Sequence, residues 1–339
     1  MDDSVQAVST MTPSESSQPP TGPLWDFPEP AHADEDPASI IVRVAEGHFF
    51  RTSDLFSRYF QLPAYRLADV GNHPGILDQL DVLAGCGSEF LRSLGWQRQA
   101  GKKVVFRGQA LPSDWIGEGR RVAPGVLAAD GDQPYIRLAW RFPAIPFDLN
   151  TNEMLIDRCP LCFNFLTWTR IRSVCHCQNC QFDLREARPV YARGEYVQPA
   201  LKLAAHLGLL PGEKIALPPP FATEDSVVAL KVLEWCAWFA GRCEVVPVAQ
   251  SATNAHRGVA VAERWPATLE LAADLVLRQV LKKEHAMSTL QGAFRSLPNM
   301  EMRKGVSTQL AEIMQRLNVQ RVQDYLVVNR WKYFQRGWL

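Results

Sequence analysis

CPLCFNFLTWTRIRSVCHCQNC, running from Cys159 to Cys180, holds five of the chain's eight cysteines within twenty-two residues. Cys159 with Cys162, and Cys177 with Cys180, are Cys-x-x-Cys pairs. Each such turn delivers two thiolates to one metal at tetrahedral angles, and two turns about fifteen residues apart complete a closed four-sulfur site. The segments between them, NFLTW and IRSVC, have β-branched and aromatic character. They read as a short hairpin turning at Thr169-Arg170, so the stretch predicts a zinc ribbon with one structural Zn²⁺ on Cys159, Cys162, Cys177 and Cys180. Two disulfides fit poorly, because a bond across a two-residue loop is a strained redox site and no secretory signal precedes it. An iron–sulfur cluster also takes four thiolates, but two tight turns around a hairpin suit tetrahedral zinc better. Cys175 reads as a strand residue and His176 as exposed or lying just behind the metal ligands. Using Cys175 in place of Cys177 would open the second turn to Cys-x-x-x-x-Cys and lose its tight geometry.

Outward from this stretch, 339 residues of which 47% are hydrophobic suffice for two or three cores. The formal net charge is zero by cancellation: residues 1–40 carry eight Asp or Glu and no Lys or Arg. The matching positive excess gathers around Arg92–Arg121, around the ribbon, and at the C-terminus. Residues 1–37, rich in Ser, Pro, Thr and acid, predict a disordered tail that cannot bury enough apolar surface to offset its ordering entropy. No signal peptide and no apolar run near 18 residues is present, and thiolate ligands suit a reducing cytoplasm.

From Ala38 to Leu94 the pattern is helical. Ile40, Ile41 and Val44 begin one face, and Thr52-Ser53-Asp54 caps a run with Leu55, Phe56, Tyr59 and Phe60. Pro74 opens a third helix, Gly85-Cys86-Gly87 ends it, and Ser88 caps a fourth. These helices permit a helix-turn-helix or a plain bundle. Lys103–Arg107 and Tyr135–Arg141 read as extended, the second because Ile136, Leu138 and Trp140 alternate with Arg137, Ala139 and Arg141. Beyond Arg188, helices are predicted near 199–210, 226–240, 267–286, 307–317 and 319–332. The basic and aromatic end, Arg330 to Trp338, suits either nucleic-acid stacking or packing under the last helix. The expected class is mainly α with a small β zinc ribbon. Its divisions are a tail (1–37), a helical domain (38–115), the ribbon region (116–190) and a C-terminal helical domain (191–339).

The order of these pieces resembles the TniQ family of transposon target-selection proteins. PYIRLAWRFP (Pro134–Pro143), LIDRCPLC (Leu155–Cys162) and CQNCQFDLR (Cys177–Arg185) carry the resemblance, with the helices through LDQLDVLAGCGSEFLRSLGW. Family members commonly hold a second zinc on an earlier CPxC and CxxH. Here those places read Ala123-Pro124-Gly125-Val126 and Asp148-Leu149-Asn150-Thr151, so one zinc is expected, with apolar packing replacing the other. The resemblance implies a DNA-targeting adaptor that reads an attachment site or a CRISPR guide complex. It also implies recruitment of an AAA+ ATPase and through it a transposase, with a homodimer among the possible assemblies. Candidate DNA contacts are Arg98, Lys102, Lys103, Arg107, Arg170, Arg172 and Arg188.

No phosphate loop, dinucleotide fingerprint, HExxH or GxSxG is present, and the seven His do not group at catalytic spacing, so no catalytic residue is assigned. A zinc-ribbon protein–protein adaptor or transcription-associated factor is the alternative function. A redox or zinc-storage role for Cys175 with the CxxC pairs is a third.

Overall fold

The computed structural model describes residues 31–61, 64–243, 251–280 and 293–325. The first four helices are α1 (Pro37–Gly47), α2 (Thr52–Tyr59), α3 (Pro74–Ala84) and α4 (Ser88–Leu94). Asp36 caps α1 by accepting a hydrogen bond from the Ala38 amide at 2.8 Å, and Pro37 fills a first-turn position whose N–H would have no partner. Gly85 stops α3 in the left-handed conformation, where a Cβ would be strained. The α3–turn–α4 unit follows the predicted boundaries. Its second helix offers little to a DNA groove, because its one cation, Arg92, makes a bidentate pair with Asp78 at 3.0 Å.

A three-stranded antiparallel sheet follows, formed by β1 (Trp96–Gln99), β2 (Lys103–Phe106) and β3 (Gln109–Pro112) in that order. Arg107-Gly108, both with positive φ, make the two-residue turn between β2 and β3, the turn whose twist matches paired strands. Trp96, Val104, Phe106 and Leu111 send one face of the sheet into the core. After it come α5 (Pro124–Ala129), α6 (Gly194–His206), α7 (Ser226–Cys243), α8 (Ala255–Glu263), α9 (Ala267–Val280) and α10 (Met300–Tyr325). The chain is therefore mainly α with a small β component, as expected.

α7 lies at the centre of the C-terminal half. Trp235 and Phe239 stack at 4.9 Å, with Phe221, Trp265 and Phe294 around them. α8 approaches α7 closely because Gly258 lacks a side chain; a Cβ there would stand 1.8 Å from the Leu233 carbonyl oxygen. The two halves meet where the Trp115 indole donates to Glu234 at 2.6 Å and Lys231 pairs with Asp114 at 3.4 Å. No described helix is long and apolar enough to cross a membrane.

Several expectations need correction. The tail does not extend to residue 37, because Glu35 and Asp36 are fully buried. Asp36 takes a bidentate pair from Arg141 at 2.7 and 2.8 Å, and Arg43 donates to Glu35 at 2.6 Å. Tyr135–Arg141 is no strand: Leu138–Arg141 form one 3-10 turn. The alternation misleads because Arg137 and Arg141 are buried too, each neutralised by an aspartate (Asp130 and Asp36). α6 begins five residues before its expected start and contains Pro199, and the two last expected helices are one continuous α10 as far as Tyr325. The remainder of those helices, Trp25, Phe27 and the basic-aromatic end at 330–338 lie outside the described residues.

Candidate metal centre

Each Cys-x-x-Cys turn is closed by its own backbone. The Phe163 amide donates to the Cys159 carbonyl at 2.9 Å, the Cys159 amide to the Asn164 carbonyl at 3.0 Å, and Arg158 bridges to Phe165. Eighteen residues on, the Gln181 amide donates to the Cys177 carbonyl at 3.0 Å, the Cys177 amide to the Phe182 carbonyl at 3.0 Å, and His176 bridges to Asp183. The fifth residue of each turn sits in the left-handed region, Phe163 at φ 58° and Gln181 at φ 62°. Two copies of one knuckle thus face each other. The predicted hairpin of NFLTW with IRSVC is not formed: each bridge stays within its own knuckle, and Cys175 lies in a turn.

The four sulfurs of Cys159, Cys162, Cys177 and Cys180 lie within 4.8 Å of one another. Across the two knuckles, Cys159 Sγ is 3.5 Å from Cys180 Sγ and Cys162 Sγ is 3.7 Å from Cys177 Sγ. Sulfurs about 2.3 Å from a tetrahedral zinc stand about 3.8 Å apart, so this donor set fits such an ion and could hold one. The knuckle amides favour thiolate. The Asn179 amide donates to Cys177 Sγ at 3.4 Å, and chiefly the Asn164 amide holds the Cys162 thiol down at about 6. Cys175 is buried nearby and belongs to no such group; burial pushes its thiol up to about 12. His176 is half-buried and carries a bridge in the second knuckle.

The segment at Asp148–Glu153 repeats the knuckle backbone without cysteines. The Asn152 amide donates to the Asp148 carbonyl at 2.9 Å, the Asp148 amide to the Glu153 carbonyl at 2.7 Å, and Phe147 bridges to Met154. Asn152 has φ 61°, matching Phe163 and Gln181. Asp148 Oδ1 accepts from the amides of Asn150 and Thr151 at 3.1 and 3.0 Å, and Oδ2 accepts from the Trp140 indole at 3.0 Å. Facing it, both oxygens of buried Glu153 accept the first amides of α5, Gly125 at 2.8 Å and Val126 at 3.0 Å. Ala123 and Val126 are buried and apolar. Carboxylate-to-amide bonds join the two segments where the resemblance expected a lost metal site. The expected apolar packing is present, but it does not act alone.

The candidate DNA-contacting residues do not all stand free. Arg98 pairs with Asp69 at 2.6 Å and Glu118 at 3.4 Å, and Arg107 donates to the Gly208 carbonyl. Lys102, Lys103, Arg170, Arg172 and Arg188 are exposed and have no ion-pair partner among the described residues. Sequence reasoning missed two features. Leu161, Phe163 and Phe165 are exposed at the first knuckle, with the Arg158 guanidinium 3.6 Å over the Phe165 ring. Arg120 is buried behind the cysteines, and only its place in the run GEGRR, between expected elements, could have drawn attention to it.

No curated protein matches the chain. The TniQ family model matches residues 27–147, which span α1 to α5, the sheet and the Leu138–Arg141 turn, and end just before the cysteine-free knuckle. Over this stretch, about a third of its length, the chain is similar to the TniQ family, which supports a transposition-associated target-selection role in general.

Proposed function

We propose that the protein is a non-catalytic adaptor that directs transposition to a DNA target. It reads an attachment site or a guide complex, and recruits an AAA+ ATPase that licenses a transposase. The family match at residues 27–147 is the observation that carries this reading. One structural zinc on Cys159, Cys162, Cys177 and Cys180 is part of it. A site closed by four thiolates has no open position for substrate, so the ion folds the knuckles and activates no water. Such a site suits the reducing cytoplasm.

DNA contact falls to Lys102 and Lys103 at the β1–β2 turn and to Arg170, Arg172 and Arg188 near the knuckles, whose charges are free. Arg98 and Arg107 are left to hold the fold. Filter binding across a salt series tests this: affinity falls steeply as salt rises, and a flat dependence removes DNA contact from the proposal. Co-purification with an AAA+ ATPase, should one be encoded beside the gene, tests the recruitment step. A protein–protein adaptor outside transposition is the second reading. It is favoured by zero net charge and by the exposed Leu161, Phe163 and Phe165. DNA affinity absent at low salt, together with no ATPase partner, would decide for it.

A further inference from the structure

Arg120 is 1% exposed, and no carboxylate pairs with it among the described residues. Its guanidinium donates to the carbonyls of Ser173 and Val174 at 3.2 and 3.1 Å, to the His176 carbonyl at 2.7 Å, and to Gln178 Oε1 at 3.4 Å. Its own amide donates to the Leu166 carbonyl at 2.9 Å. One residue thus grips the chain leaving the first knuckle and the chain entering the second. Its Nε has no hydrogen-bond partner.

Arg43, Arg137 and Arg141, also buried, each face an acid (Glu35, Asp130 and Asp36), whereas the neighbouring Arg121 guanidinium donates to the carbonyls of Trp140, Phe142 and Ile145. A buried guanidinium surrounded only by neutral groups is costly, because desolvation is not repaid by an opposite charge. Four protonated thiols are neutral, and so are two disulfides. Four thiolates on a divalent ion carry a net charge of −2. Burial works most strongly against the charge on Arg120, and the groups that favour it are Cys177, Cys175 and Cys159.

We propose that Arg120 is the buried counter-charge of an anionic metal–tetrathiolate centre, a positioning residue whose fork aligns the second knuckle while its charge raises affinity for the ion. This rests on the zinc reading above. The arrangement selects the metal-loaded form over a disulfide form, since only the former supplies the negative charge that a buried guanidinium lacks.

Three variants of the full-length protein separate charge from hydrogen bonding: Arg120→Lys keeps the charge, Arg120→Gln keeps donors without charge, and Arg120→Met keeps neither. Zinc affinity is read by competition with chelators of graded strength. Arg120→Gln and Arg120→Met are expected to bind zinc about 10–100-fold more weakly than the parent, the usual consequence of losing a group behind the ligands, with Arg120→Lys nearer the parent. The proposal is overturned if Arg120→Gln binds as well as Arg120→Lys, if all three weaken equally, or if Arg120→Met keeps parental affinity. Parent protein that takes up no zinc would instead overturn the metal reading itself.

Discussion

In the knuckle at 148–153 a carboxylate occupies the place that a sulfur holds in the knuckles at 159–164 and 177–182. The backbone is the same in all three: a fifth residue in the left-handed region, the same pair of amide-to-carbonyl bonds, and the same closing bridge. The means of joining one segment to the next differs. Glu153 reaches the amides of Gly125 and Val126, whereas the cysteine knuckles bring four sulfurs to one point. The comparison teaches that the shape does not require an ion. A buried carboxylate with two amide donors can fix such a junction, at the cost of local hydrogen bonds that must all be kept. Asn152 also suits its left-handed position better than Phe163 or Gln181, which hold that conformation against a cost of roughly 1–2 kcal/mol each.

The largest effect expected on either side of this comparison is at the sulfurs. Cys162→Ser or Cys180→Ser should abolish metal binding and unfold the knuckles, since structural zinc contributes on the order of 10 kcal/mol of folding energy. Metal analysis with limited proteolysis checks this, and the parent should carry about one equivalent. Two equivalents would show that the knuckle at 148–153 binds an ion after all. Next, Glu153→Ala leaves two buried amides without acceptors and should cost about 2–4 kcal/mol in denaturant unfolding. Metal content should stay at one equivalent; loss of the ion in this variant would merge the two junctions into one.

A carboxylate outside both junctions sharpens the contrast. Burial pushes the Glu35 carboxyl up to about 7, outweighing the attraction of Arg43. Because the folded value lies above the unfolded one, its stabilising contribution is full below about 4.5 and is lost as pH rises through about 7. Glu35→Gln should flatten that window by on the order of 2–3 kcal/mol in a pH series of unfolding curves, with metal content unaltered. The smallest effect on stability is expected from Lys102→Ala with Lys103→Ala, within about 0.5 kcal/mol. The same pair should reduce the salt slope of DNA binding by about 2.

Helix starts and stops were legible where a local signal acts alone, as with Pro74 at a first turn and Gly85 at a helix end, whereas Pro37 opens α1 inside the stretch expected to be tail. The sulfur cluster was legible because CxxC spacing restricts the local backbone. Tyr135–Arg141 was not, because its arginines look solvent-facing until Asp36 and Asp130 are brought to them. The acidic stretch ending at Asp36 reads as solvated for the same reason: its partners, Arg43 and Arg141, are distant or shared in sequence. The third knuckle could be located by alignment to its cysteine-bearing counterpart, but not recognised from its own residues. Asp, Asn and Thr form many turns, and nothing local distinguishes this one.

By itself the sequence determined most of the helices though not α5 or α8, the β1–β3 region in part, the four thiols and their spacing, and the family resemblance. These depend on periodicity, on glycine and proline, and on residues close along the chain. Only the tertiary structure decided that the two knuckles meet, that Glu153 joins a third, and that Arg120 lies buried with no acid to face it. Burial and charge pairing are set by residues that come together after the chain has folded, and the free energy of an ionic group depends on those neighbours more than on its place in the sequence.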